Sequence, residues 1–331
     1  MPYHHTAIAV AMLLISCSKQ EVPPDNTGTH QPPATVNYRQ EMRNFIQEIS
    51  AWARTQQPSF IVVAQNGSEL LSASGKPTDT AASAYVKALN GIGREELLYG
   101  YNNNDNASTP TNEKNLWLSF CKMGAASGLK VMTTDYCTTP EKMADSYRTN
   151  NSYGFISFAA TKRQLNNIPA GSPYQENVGN INTLADAKNF LYYINMDNTG
   201  EQFVAAVKAT NYDVLVIDAF SPEGTPWPKA TINALKVKQN GAKRLVLAYM
   251  SIGQAEQYRW YWKSDWKKNP PAWMEKHDPY WDGSYYVRYW MTDWKNLIYG
   301  NANAYTQKIL DAGFDGTYLD PEDGSAYWEE H

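Results

Sequence analysis

Four acidic residues in this chain each follow a short apolar run. Gly91-Ile92-Gly93-Arg94 leads into Glu95, and Val131-Met132-Thr133-Thr134 leads into Asp135-Tyr136. Val214-Leu215-Val216-Ile217 leads into Asp218, and Gly316-Thr317-Tyr318-Leu319 leads into Asp320. Two further runs end on neutral polar groups: Phe60 to Ala64 opens into Gln65-Asn66, and Arg244 to Ala248 into Tyr249. One such acid could cap a loop, but four at four strand ends are hard to read as caps alone. No His stands at any of these positions, and no Ser sits in a Gly-x-Ser-x-Gly setting. A site made of carboxylates alone points to glycosidic-bond hydrolysis, in which one carboxyl protonates the leaving oxygen while another attacks or activates water. Clustered acids also bind Mg²⁺ or Ca²⁺. However, Asp320, Glu322 and Asp323 in Asp-Pro-Glu-Asp-Gly match a calcium loop only superficially, because the remaining ligands are missing.

The elements that must position these groups read as alternating helices and strands. Phe45, Ile46, Ile49, Trp52 and Ala53 recur at helical spacing, and Pro58 closes that helix. Strands are expected at Phe60–Ala64, Asn90–Arg94, Lys130–Thr134, Asn189–Ile194, Asp213–Ile217, Arg244–Ala248, Tyr285–Trp290 and Gly316–Leu319. Phe155–Phe158 is a short extra run expected to flank them. Continuous apolar runs, without polar alternation, mark parallel strands covered on both faces. Eight of them at roughly 30-residue spacing favour a closed (β/α)₈ TIM barrel over an open doubly wound sheet. No Gly-x-Gly-x-x-Gly fingerprint follows any strand. In such a barrel all strand C-termini meet on one face, where active sites are built.

Composition narrows the partners. The chain has 331 residues, 43% hydrophobic, with a formal net charge of −4, and no basic stretch dense enough for nucleic acid. Its 11 Trp and 23 Tyr supply flat rings that fill cores but also stack on sugar faces. They cluster between Tyr258 and Trp294, which strengthens the carbohydrate reading. Ala7–Ile15 is too short to span a bilayer and ends in Leu14-Ile15-Ser16-Cys17, which looks like a bacterial lipobox. Residues 1–17 are therefore expected to be a lipoprotein signal peptide with Cys17 as the lipidated residue, and residues 18–37 a flexible linker. Residues 38–331 would form the barrel, lipid-anchored on the extracytoplasmic side of a bacterial cell envelope. The anchor would be the sole membrane contact. Cys121 and Cys137 could pair or remain separate buried thiols. With five scattered His and no Cys-x-x-Cys, no cofactor or metal is expected.

Four segments carry a family pattern: Tyr212–Asp218, then Val246–Trp262, Val287–Trp290 and Gly313–Asp320. Together they resemble glycoside hydrolase family 114, the endo-α-1,4-polygalactosaminidase-like barrels. The stretch Ser251-Ile252-Gly253-Gln254-Ala255-Glu256-Gln257-Tyr258-Arg259 is the most specific part. In that family the strand ending Tyr-Leu-Asp normally precedes pieces like Pro58–Gly67, Gly91–Glu95 and Val131–Tyr136. Here those pieces come first, so the resemblance implies a circularly permuted barrel, cut after the strand ending in Asp320.

The resemblance implies Asp320 as nucleophile and Glu95 as general acid/base. Asp218, Asp135, Tyr249, Gln65, Asn66, Tyr136 and Trp290 are the expected substrate-binding residues. Acidic side chains would suit a cationic galactosamine unit, so the expected substrate is an α-linked polysaccharide containing galactosamine, acted on by a monomer. Relatives usually carry Glu where this chain has Gln254, which puts the substrate in question more than the chemistry. A non-catalytic glycan-binding barrel is the alternative from a different class, and a metal-dependent hydrolase a third.

Overall fold

The computed structural model of the protein describes residues 36–330. The signal peptide, Cys17, residues 18–35 of the linker and His331 lie outside the described residues. Among the described residues no helix is long and apolar enough to cross a membrane.

Thirteen strands are described: β1 (Ile61–Gln65), β2 (Gly91–Glu95), β3 (Tyr99–Gly100), β4 (Asn104–Ser108), β5 (Lys130–Tyr136), β6 (Ile156–Ala160), β7 (Phe190–Tyr193), β8 (Val214–Asp218), β9 (Leu245–Ser251), β10 (Gln254–Glu256), β11 (Met274–His277), β12 (Ser284–Val287) and β13 (Gly316–Asp320). The helices are α1 (Tyr38–Gln56), α2 (Ser83–Ala88), α3 (Thr111–Ala126), α4 (Pro140–Ser152), α5 (Gly200–Lys208), α6 (Lys229–Leu235), α7 (Thr292–Ile298), α8 (Tyr305–Ala312) and α9 (Glu322–Glu330).

Eight strands form one parallel sheet in the order β6-β5-β2-β1-β13-β9-β8-β7, and this sheet rolls into a nearly closed (β/α)₈ TIM barrel. The last strand in sequence, β13, pairs with the first, β1, from Ile61↔Gly316 to Ala64↔Leu319. At the seam, β6 and β7 lie side by side without a shared ladder. It is closed by Phe158 on Phe190, with ring centroids 5.9 Å apart, and by the amides of Ile194 and Asn195, which both donate to Leu165 O. The crossover into β7, residues 161–189, carries only a 3₁₀ turn at Leu184–Asp186. A buried ion pair, Lys238 to Asp213 at 2.5 Å, ties it down: Lys238 Nζ also donates to the carbonyls of Asn177 and Gly179.

Two strand expectations need correction. Phe155–Phe158 does not flank the barrel. It forms barrel strand β6, whose five residues are all buried, as a strand covered on both faces must be. Tyr285–Trp290 is not a barrel strand: Ser284–Val287 forms the centre of a three-stranded antiparallel sheet with β10 and β11. Tyr285 there is half-exposed between buried neighbours, the alternation of a sheet covered on one side only.

Helix α1 begins at Asn37, whose side chain accepts from the Gln40 amide. It buries Met42, Phe45, Ile46, Ile49 and Ala53 against the barrel. Cys121 and Cys137 are both buried and unpaired; burial pushes each thiol up to about 12.

Candidate active site

Side chains two apart on a strand share a face, so the last residues of the barrel strands present a ring of inward groups. Gln65, Glu95 and Asp320 end three strands that are direct neighbours, β2-β1-β13. Beneath them Tyr318, two residues before Asp320, fills the interior against Tyr192, with ring centroids 5.2 Å apart. Gly93 makes that possible, since a Cβ there would lie 2.0 Å from Tyr318 Oη.

Glu95 is held from three sides. Its Oε2 accepts from Gln65 Nε2 at 2.7 Å and from Asn66 Nδ2 at 2.9 Å, and its Oε1 accepts from the Tyr136 hydroxyl. Asn66 also accepts the Glu95 amide on Oδ1 at 3.0 Å. That double grip requires φ of 51° at Asn66, a left-handed conformation that Asn tolerates better than most residues. Asp320 Oδ2 accepts from Tyr249 Oη at 2.9 Å and lies 3.5 Å from Gln65 Nε2. Burial first, then the charge of Glu95, raises the Tyr136 phenol well above its ordinary range, and burial with Asp320 does the same for Tyr249. Both phenols therefore remain O–H donors to the carboxylates at any working pH.

Gln65 Nε2 touches both carboxylates, so Glu95 Oε2 and Asp320 Oδ2 are no further apart than those contacts of 2.7 and 3.5 Å laid end to end. Paired glycosidase carboxyls stand roughly 5–9.5 Å apart, and the short end of that range is the one this geometry meets. The structure thus brings Asp320, Glu95, Gln65, Asn66, Tyr136 and Tyr249 into one constellation.

Asp218 lies two strands from Asp320 in the ladder, with β9 between them. Its Oδ1 caps the Phe220 amide at 2.8 Å and meets Arg259 Nη1 at 2.8 Å. Arg259 in turn donates through Nε to Glu256 at 2.6 Å. Beside them opens a cavity of about 370 Å³, lined among others by Asp218, Phe220, Tyr258, Arg259 and Trp260. The end of the most family-specific stretch, Tyr258 and Arg259, thus lines a cavity beside Asp218.

Two expected sugar ligands are placed elsewhere. Asp135 is fully buried and accepts from the amides of Leu98 (2.8 Å) and Tyr99 (3.1 Å), from Ser146 Oγ (2.6 Å) and from Asn150 Nδ2 (3.0 Å). Its carboxylate holds the loop after β2 and is closed to a substrate; burial raises its proton affinity despite these four donors. Trp290 packs between Tyr38 and Trp328, at 5.1 and 4.9 Å, in an aromatic cluster joining the two ends of the barrel chain. Gln254 is buried in the small sheet and donates to buried Asp278 at 2.5 Å. An amide meets that carboxylate without a shared proton, which a glutamate would require.

Three participants were not singled out from sequence. Tyr192 supports Gln65 from β7, and Arg259 with Glu256 holds Asp218. A tyrosine inside the otherwise apolar Phe190-Leu191-Tyr192 run was the available signal, together with the charged pair inside the family stretch. Among the described residues no three of His, Cys, Asp and Glu gather as metal ligands would.

The profile of Glycoside-hydrolase family GH114 matches residues 171–328. That span contains β7, β8, β9 and β13 with Asp218, Tyr249 and Asp320, while Gln65, Asn66, Glu95 and Tyr136 precede it. An uncharacterized protein of Methanocaldococcus jannaschii is 35% identical over 185 residues, 54% of this chain and 50% of that protein. Uncharacterized proteins of Thermotoga maritima (36% over 124 residues, 38% of this chain and 36% of that one) and Deinococcus radiodurans (35% over 127 residues, 38% of each) are also similar. The matched region thus spans half or less of the length of these relatives. The profile match falls on the part of the barrel that holds Asp320 and supports membership of glycoside-hydrolase family GH114.

Proposed function

We propose that the barrel hydrolyses an α-linked, galactosamine-containing polysaccharide, with Asp320 as nucleophile and Glu95 as general acid/base. The observation that carries this reading is the pair of carboxylates on strand ends separated by β1 alone, bridged by one amide at the barrel's C-terminal face. Their spacing favours the short separation of retaining enzymes over the wider gap that an inverting enzyme reserves for water. In that chemistry Glu95 protonates the leaving oxygen while Asp320 Oδ attacks the anomeric carbon. Water then attacks the glycosyl ester as Glu95 takes its proton back. Tyr249 holds the nucleophile and Tyr136 orients the acid/base. The sequence supports the remaining parts of the proposal: a lipid anchor at Cys17, an extracytoplasmic site in the cell envelope, and a barrel permuted relative to its family.

The test is purified protein on galactosamine-containing polymers with reducing-end detection. Asp320→Asn and Glu95→Gln should each cut turnover by at least about 10²–10⁴-fold with unchanged melting curves. Full activity in both variants overturns the assignment. Unaltered glycan affinity with no product from the unmodified protein would instead fit a glycan-binding barrel.

A further inference from the structure

Gln65 is buried at the end of β1, between the two strands that carry the carboxylates. Its Nε2 reaches Glu95 at 2.7 Å and Asp320 at 3.5 Å, while its Oε1 accepts from Tyr192 Oη at 2.7 Å. Chemistry dictates which way this amide faces. Turned over, its carbonyl oxygen would confront two groups that accept when ionised, whereas an NH₂ has one hydrogen for each. The buried Tyr192 phenol, raised far above its ordinary range by burial and then by the Glu95 charge, keeps its proton to donate to Oε1.

Resting on the hydrolase reading, we propose that Gln65 is a positioning residue for the Asp320–Glu95 pair: its neutral amide joins the two carboxylates and fixes their separation. Two carboxylates this close repel when both are ionised. A shared donor opposes that repulsion without adding a charge. Groups around the pair include the Tyr136, Tyr249, Tyr192 and Tyr318 phenols and the Asn66 amide, and the Glu96 carboxylate also faces Glu95. Arg163 lies 4.0 Å from the Tyr136 ring centroid and is itself paired with Glu96 and Asp105. A methionine at position 65 fills the space and removes the donor. A glutamate has the amide's shape, but it offers a hydrogen only when protonated.

The experiment measures the side-chain carboxyl titrations of Asp320 and Glu95 by ¹³C NMR in the full barrel protein, without substrate, for Gln65→Met and Gln65→Glu. It pairs these with pH profiles on the galactosamine polymer of the screen above. In Gln65→Met both NMR titration curves should differ from those of the unmodified protein, the pH profile of kcat/KM should change with them, and kcat should fall about 10–100-fold with KM within about threefold. In Gln65→Glu activity should be lost at neutral pH and recover partly on acidification, as the introduced carboxyl gains the hydrogen that replaces half the amide. Unchanged titrations and an unchanged pH profile in a folded Gln65→Met overturn the proposal. Should that variant fail to fold, absence of acid recovery in Gln65→Glu overturns it equally. Shifted titrations in a protein whose unmodified form cleaves nothing would sink the hydrolase reading and leave the positioning role standing.

Discussion

Glu95 shows how much of this site is hydrogen bonding to one charged group: two amides on one oxygen and a phenol on the other. Each donor helps to fix where the carboxylate stands, so removing one loosens the proposed acid/base. Tyr136→Phe should therefore lower kcat more than it raises KM, while costing no more than about 1–2 kcal/mol of stability. An unchanged kcat would contradict that role for the contact. Asp135, at the end of the same strand region, has the opposite character. Truncating it to alanine orphans the buried amides of Leu98 and Tyr99 together with Ser146 and Asn150. The expected cost is about 2–4 kcal/mol, read as a lower denaturation midpoint with little direct effect on chemistry. Sequence could see that both acids end strands. It could not see that one faces the barrel mouth and the other the loop wall, because that depends on register and on helix α4 supplying Ser146 and Asn150.

Strand packing sets where the proposed catalytic groups stand, and glycines make that packing possible. A Cβ on Gly316 would stand 2.2 Å from Ile61 O, at the point where the first and last strands pair. Gly316→Ala should push β1 from β13 and so separate Gln65 from Asp320. The expected cost is about 1–3 kcal/mol, with a larger loss in kcat than in substrate affinity. A fully active variant of normal melting temperature would show that the ladder has room to spare. At this scale the apolar runs were readable, including their order and nearly all their positions, because a doubly covered strand must be apolar throughout. The exchange of roles between Phe155–Phe158 and Tyr285–Trp290 was not readable. Both are short apolar or aromatic runs, and only the partners they find decide between barrel and outer sheet.

For the molecule as a whole, the weak point of the barrel is its seam between β6 and β7, where no helix crosses over and no ladder forms. The buried Lys238–Asp213 pair compensates by gripping Asn177 and Gly179 in that crossover. Lys238→Met leaves Asp213 buried without its cation, and a loss of about 3–5 kcal/mol follows from that alone. Hydrogen exchange should show the opening concentrated in residues 161–189; a uniform loss of protection would argue against a local latch. For the proposed anchor, Cys17→Ser should move the protein from the membrane to the soluble fraction of cells that export it, with the barrel's melting curve unchanged.

The sequence by itself determined the fold class and the acids that could act, because apolar runs of strand length and polar strand ends are local properties. It also carried the family stretch through Arg259. The tertiary structure decided which of those polar ends meet. Glu95 and Asp320 are separated by most of the chain and joined through a strand from near its start, so no local pattern could reveal that a single amide, Gln65, bonds to both. Ring closure brings β13 back against β1 and turns two distant carboxylates into neighbours, while the same closure turns Asp135 into the wall.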